Sequence, residues 1–214
     1  MNPLFPPQNS PIQLYRNPLS GHSHRVELML SLLDLPYQTS DVDMANGAHK
    51  SPEYLARNPF GQVPVLEDNG ITLADSNAII VYLAQRYQSN DQWLPSDPVE
   101  LAQVQRWLSV AAGEIFAGPC SVRLEKLFGV PLDYQVAKQK TLALFAVVEP
   151  WLAERQYLTG EKLNLADIAG YSYIAHVAEG GVSLQPYPAI RAWLQRIESQ
   201  PRFVGMTRSA ELVA

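Results

Sequence analysis

The stretch NPFGQVPVLEDNGITLADS, Asn58 to Ser76, decides the fold. Val63-Pro64-Val65-Leu66-Glu67 is a short β-rich run, and Asp68-Asn69-Gly70 is a tight-turn signal. Ile71-Thr72-Leu73-Ala74 is the returning strand, so the segment predicts a hairpin. Asp75-Ser76-Asn77 then supplies capping side chains directly before Ala78-Ile79-Ile80-Val81-Tyr82-Leu83, the beginning of a helix. Pro64 cannot donate to a ladder and belongs at a strand's start or edge. The main chain of Val63 is then available to something extended, such as a peptide. Spacing alone leaves the Val63–Pro64 bond trans by default, because only about 5–6% of X-Pro bonds in folded proteins are cis. Ser76 sets a hydroxyl and unpaired main-chain N–H groups at a helix N-terminus, a natural carboxylate site. The Asp75 carboxylate beside it suits an ammonium. Together they describe a site for the end of an α-amino acid, although the same residues also suit a plain hairpin and a capped helix.

Upstream, MNPLFPPQNS (residues 1–10) has no periodicity and reads as a flexible tail. Ile12 to Tyr15 alternates as a first strand. Ser23 is read as the N-cap of a helix that is apolar nearly all round, from Val26 to Leu33. Leu35-Pro36 breaks that helix, and Tyr37 to Val42 alternates again. Two strands so close, with a helix between, predict a parallel pair with a crossover. Ser51-Pro52-Glu53-Tyr54-Leu55 is a short capped helix with proline at its first position. The order β-α-β-α-β-β-α is a small α/β layer with a mixed sheet, the pattern of thioredoxin-like domains.

Downstream, QSNDQWLPSDP (Gln88 to Pro98) reads as a polar linker, and all that follows is helical. Val99 to Ala117 and Asp133 to Glu154 carry apolar residues at helical spacing, with Gly118-Pro119 as an interruption between them. Asn164, with Asp167 three residues on, forms a variant capping box before a helix that is small and apolar on most faces. That helix is expected at the centre of the second domain. Tyr187-Pro188 opens a last amphipathic helix. The expected division is a tail (1–10), an α/β domain (11–88), a linker (89–98) and an all-α domain (99–214).

The mild negative charge of −5 disfavours nucleic acid or an anionic membrane as the main partner. Cys120 is the sole cysteine, which excludes an intrachain disulfide, a CxxC redox pair and a cysteine-built zinc site. No metal is expected. No run approaches the roughly 18 apolar residues of a membrane span, and no signal peptide is recognisable. Cytoplasm is the expected location.

Taken together, NPFGQVPVLED (58–68), ADSNAIIVYLA (74–84) and NLADIAG (164–170) resemble the soluble glutathione transferases over about nine-tenths of the chain. In motif they are closest to serine-type, phi- or zeta-like bacterial members. The resemblance implies a thioredoxin-like N-terminal domain followed by an all-α C-terminal domain. It also implies glutathione as co-substrate, a homodimer and a role in detoxification. It implies that the Val63–Pro64 bond is cis and that Val63 pairs its main chain with the cysteinyl part of glutathione. Asp75 and Ser76 would bind the γ-glutamyl end, Gln62 would touch the tripeptide, and His49-Lys50 would hold the glycyl carboxylate.

The family's catalytic residue follows the first strand and precedes the first helix, and is Tyr, Ser or Cys by class. Tyr15, Ser20 and Ser23 are the candidates. Ser20, five residues before Arg25-Val26, has the spacing that resembles serine-type enzymes and is chosen, with His22 as a secondary neighbour. The implied chemistry is attack of glutathione thiolate on a small hydrophobic electrophile held in a cleft between the domains. That cleft is expected to be lined by the loop at Leu19 and by Leu108, Ala112 and Phe116. Arg123 is read as a solvated surface residue, with steering of an anionic substrate as the alternative. Glutathione-dependent isomerisation, dehalogenation or peroxide reduction on the same fold remain open, as does a non-catalytic binding module.

Overall fold

The computed structural model of the chain describes residues 11–88 and 91–209, so the tail expected at residues 1–10 lies outside the described residues. Two compact units form. One holds the described residues up to Asp91 together with Pro201–Thr207; the other holds Gln92–Gln200 with the described residues from Arg208 on.

The first unit runs β1 (Ile12–Arg16), α1 (Gly21–Leu32), β2 (Tyr37–Asp41), α2 (Pro52–Arg57), β3 (Val65–Asp68), β4 (Ile71–Ala74) and α3 (Ser76–Tyr87). The sheet order is β2-β1-β3-β4. β1 and β2 are parallel, with Ile12 opposite Tyr37 and Arg16 opposite Asp41, and the other two pairs are antiparallel. This is the mixed sheet expected from the sequence. The hairpin turn places Asn69 at φ 47° and Gly70 at φ 82°, the two positive angles that a two-residue turn needs to match strand twist. Ile12, Leu14, Val65 and Leu66 are fully buried, as are Val26, Leu28, Met29 and Leu30 of α1, which lies against the sheet as the crossover helix.

One expectation fails at α1. Ser20, not Ser23, is the N-cap: its backbone is extended and its Oγ accepts the Ser23 N–H at 3.3 Å. Gly21 begins the helix, and Ser23 lies inside the first turn, where its buried Oγ accepts the Asn17 N–H at 3.2 Å. At α2, Ser51 is the cap and Pro52 the first residue, as expected.

The second unit runs α4 (Pro98–Ala112), α5 (Ser121–Phe128), α6 (Tyr134–Ala153), α7 (Leu165–Ala175) and α8 (Pro188–Glu198). Every residue of α7 from Leu165 to Ile174 is buried, which makes it the core helix. The capping box closes as expected, and Asp167 does more than cap. Its carboxylate also accepts the Leu158 N–H and the Trp193 indole N–H, both at 2.9 Å. Burial raises its pKa to about 6, against the pull of those N–H donors.

Three features of this unit depart from the sequence reading. α4 ends at Ala112, and a wider π-type turn, Phe116–Cys120, carries Gly118-Pro119 into α5, a helix that periodicity did not separate. Glycine suits this close approach, since a Cβ at Gly118 would crowd the Thr141 main-chain nitrogen on α6 at 3.0 Å. The segment read as linker is anchored: Trp93 and Leu94 are buried, and the Trp93 carbonyl accepts the Leu165 N–H at 3.1 Å. Arg123 is neither solvated nor placed to steer a substrate. It is 2% exposed and donates to Glu179 Oε2 through Nε (2.8 Å) and Nη2 (2.5 Å). Among the described residues, no helix is long and apolar enough to cross a membrane.

Candidate active site

In the first unit, the N-terminal ends of α1 and α3 are tied together by side chains. Arg25, one turn into α1 and 1% exposed, donates through Nη1 to Ser76 Oγ at 2.7 Å and to Asn77 Oδ1 at 2.9 Å. His22 Nδ1 lies 3.1 Å from the same Ser76 Oγ and 3.3 Å from Arg25 Nη1. A guanidinium only donates. Ser76 Oγ therefore accepts from Arg25, and it meets His22 Nδ1 with its proton or with its second lone pair according to the imidazole tautomer. Burial, then the neighbouring Arg25 charge, lowers the His22 pKa to about 3, so the ring is neutral at physiological pH.

This pair of helix starts offers several donors. The first turn of a helix leaves its N–H groups without intrahelical partners, and the aligned peptide dipoles favour negative charge there. At α3, Asp75 is the cap, with Oδ1 accepting the Ala78 N–H at 2.8 Å. Its φ of 72° is a conformation that costs a non-glycine residue about 1–3 kcal/mol. The Asp75 carboxylate remains exposed beside the buried Ser76. At α1, the Ser20 hydroxyl accepts one N–H through a lone pair, and its own proton remains to be donated.

The other expected residues gather around the turn before β3. The Val63–Pro64 bond is cis, as the resemblance implied. Val63 precedes the first residue of β3, so its main chain lies outside the ladder, and its side chain packs with Tyr15, Ala74 and Met44 on the Val42–Tyr54–Val65 cluster. The Gln62 carbonyl is fixed by the Tyr54 hydroxyl (3.0 Å) and Asn58 Nδ2 (2.9 Å), while its side chain is exposed. Lys50 Nζ donates to the carbonyls of Phe60 (3.1 Å) and Gly61 (3.3 Å), which binds the Ala48–Lys50 turn to this loop. Gly61, at φ 58°, admits no side chain here, because a Cβ would stand 2.7 Å from the His49 carbonyl. His49 Nδ1 is buried without a hydrogen-bond partner among the described residues.

Tyr15 is set aside as a thiol activator. Its hydroxyl donates to Glu67 Oε2 at 3.0 Å, and Arg57 lies over its ring. Burial and the Glu67 carboxylate raise its pKa. Ser23 is excluded by the burial of its hydroxyl in the Asn17 turn. Arg25 is the residue whose role the sequence reading missed. The signal was available: an arginine inside an otherwise apolar helix needs a buried partner.

Comparison with known proteins places this geometry in a family. The family model for the glutathione S-transferase N-terminal domain matches residues 10–85, and the model for the C-terminal domain matches residues 132–201. Glutathione S-transferase theta-2 of Mus musculus is 31% identical over 88% of this chain and 81% of its own length. Glutathione S-transferase 3 of Zea mays is 32% identical over 91% of this chain and 92% of its own. Among solved structures, a glutathione S-transferase from Pseudomonas fluorescens superposes with a TM-score of 0.87. It is 36% identical, covering 93% of this chain and all of that one. A glutathione transferase homologue from Drosophila mojavensis, solved with bound glutathione, superposes at 0.81 with 32% identity over 89% of each chain. This chain belongs to the soluble glutathione transferase family. Its fold is the thioredoxin-like domain followed by an all-helical domain, and its activity is that of a glutathione transferase.

Proposed function

We propose that Ser20 activates the thiol of glutathione, which this enzyme then transfers to small hydrophobic electrophiles. The observation that carries this is the Ser20 cap: the hydroxyl takes an N–H from its own helix and keeps a proton to give. A free cysteine thiol has a pKa near 8.5, so only about 3% is ionised at pH 7. A hydrogen bond to the sulfur and the positive end of α1 both favour the thiolate. A depression of about two units would leave the bound thiol mostly ionised at neutral pH. The sulfur then forms a bond to the electrophilic carbon, and the leaving group departs with the electron pair. Serine acts only as a donor and needs no His–Asp relay.

In this reading the first-turn N–H groups of α3 and the Ser76 hydroxyl meet the γ-glutamyl carboxylate, with the buried Arg25 charge behind them. The exposed Asp75 carboxylate meets its ammonium. The main chain of Val63 pairs with the cysteinyl unit, Gln62 contacts the tripeptide, and His49 and Lys50 hold the glycyl carboxylate. His22, neutral beside Ser76, is a secondary neighbour of the site. The enzyme works without a metal, in the cytoplasm, in detoxification and as a homodimer. Phe60, 78% exposed at the tip of the loop before Val63, is an apolar residue that a second copy would cover.

Titration of the enzyme–glutathione complex by thiolate ultraviolet absorbance tests the proposal. A thiol pKa well below 8.5 is expected; a bound thiol that titrates like the free one overturns it. Glutathione at about 100 times its dissociation constant should also stabilise the protein by about 2.7 kcal/mol in thermal unfolding.

A further inference from the structure

After α8 the chain turns at Pro201-Arg202 and continues, without helix or strand, to Thr207; Pro201–Thr207 belongs to the first unit. It lies along α1. The Arg202 carbonyl accepts the Ser31 hydroxyl at 2.6 Å, and the Arg202 guanidinium pairs with Asp34 at 2.8 Å, both at the C-terminal end of the helix. Two residues on, the Val204 carbonyl lies 2.8 Å from His24 Nε2, near the helix start. The segment therefore runs antiparallel to α1, from its tail towards the turn that Ser20 caps. Met206 is buried beyond it.

His24 is the link between this strap and the candidate catalytic residue. Its main-chain N–H donates to the Ser20 carbonyl at 2.9 Å, a hydrogen bond that closes the first turn. Its ring, 2% exposed, donates from Nε2 to Val204, because a carbonyl oxygen only accepts. The first turn of a helix is where fraying begins, and here that turn is fastened from outside by a residue 180 positions away.

We propose that His24 is a positioning residue. By anchoring the first turn of α1 to the strap at Val204, it holds the Ser20 hydroxyl and the helix N–H groups where they make the glutathione thiol more acidic. The inference rests on the proposed role of Ser20.

The test compares His24→Phe, which fills the space without a donor, with His24→Gln, which keeps one. The bound thiol is titrated in each, and kcat and KM for glutathione are measured with chlorodinitrobenzene across pH. His24→Phe is expected to raise the thiol pKa by about one unit and to lower kcat at pH 7 by up to about tenfold. KM for glutathione should stay within about twofold, and kcat should recover as pH rises. His24→Gln should keep the wild-type profile. A His24→Phe enzyme with the wild-type pH profile overturns the inference, whatever its melting temperature. If that variant does not fold, the exposed end of the strap is loosened with Ser31→Ala and Asp34→Lys. Faster amide exchange in the first turn of α1 and a smaller thiol shift in the same direction support the inference; an unchanged titration overturns it. The two readings fail separately. If the wild-type enzyme leaves the thiol near 8.5, the role of Ser20 is wrong. If the wild type lowers it and His24→Phe lowers it equally, only the strap's role is wrong.

Discussion

The buried guanidinium of Arg25 donates to the hydroxyl of Ser76 at 2.7 Å, so the first turns of α1 and α3 share one hydrogen-bonded charge. α1 carries the proposed thiol donor and α3 the proposed γ-glutamyl site. A change at either helix start is felt at the other.

Ser20→Ala should leave glutathione affinity within a few-fold, raise the pKa of the bound thiol and cut turnover by at least about tenfold. Loss of the cap should also cost about 1 kcal/mol of stability. Ser20→Asp separates the two effects. An ionised aspartate caps the helix but has no proton to give, so stability should return while turnover stays low. Unaltered turnover of chlorodinitrobenzene or an isothiocyanate by Ser20→Ala would show that another group activates the thiol.

Ser76→Ala removes a carboxylate contact and an acceptor of a buried arginine. Leaving such a donor short of a partner costs about 1–3 kcal/mol. Weaker retention on immobilised glutathione and a lower melting temperature are expected together. Full retention on the resin would remove Ser76 from the γ-glutamyl site.

Arg123→Leu should destabilise the protein by about 3–5 kcal/mol in denaturant unfolding, because it strands the Glu179 carboxylate. Burial alone would push that carboxyl up, but Arg123 and the Ser209 N–H hold it below the usual range. Combining Arg123→Leu with Glu179→Leu should recover most of the loss, since a well-packed apolar pair can replace a buried ion pair. A double variant as unstable as the single one would show that packing, not charge, is at stake.

Two groups, buried Asp167 and half-buried His22, give the stability opposite slopes with pH. Asp167 has its pKa raised from 3.8 to about 6 on folding. Its titration favours the folded state most below pH 4, and that contribution is lost as pH rises through 6. His22 is lowered from 6.5 to about 3, so its contribution is whole above pH 6.5 and is lost as pH falls towards 3. Melting curves of Asp167→Asn and His22→Gln between pH 4 and 7 should each lack one of these slopes. If neither difference curve bends in its window, the assigned protonation states are wrong.

Much of the fold was legible because its signals are local. Asp68-Asn69-Gly70 needs only its own positive angles, Ser51-Pro52 only its own cap, and Asn164 with Asp167 only one turn of helix. What escaped was set by partners distant in sequence or by competing local signals. Ser20 and Ser23 stand three residues apart before the same apolar run, and only the start of the helix at Gly21 decides which one caps. Gly118-Pro119 reads as a break, yet the backbone turns through it because Gly118 can approach Thr141. Trp93 and Leu94 sit among linker-like residues yet are buried, and the Trp93 carbonyl is hydrogen-bonded to the first residue of α7. Arg123 finds Glu179 across 56 positions. At the candidate site, the placing of Asp75 and Ser76 at a helix start and of Val63 ahead of a strand was readable from spacing, whereas the Arg25 and His24 contacts depend on tertiary packing.

Cys120, at the end of the π-type turn, is the chain's sole cysteine and is 1% exposed. An enzyme that draws reactive carbon centres to itself is open to alkylation by its own substrates. Here the polypeptide keeps its single sulfhydryl out of solvent, so the only soft nucleophile of this kind that an incoming electrophile meets is the one brought by glutathione. The catalyst is thereby spared the reaction it promotes.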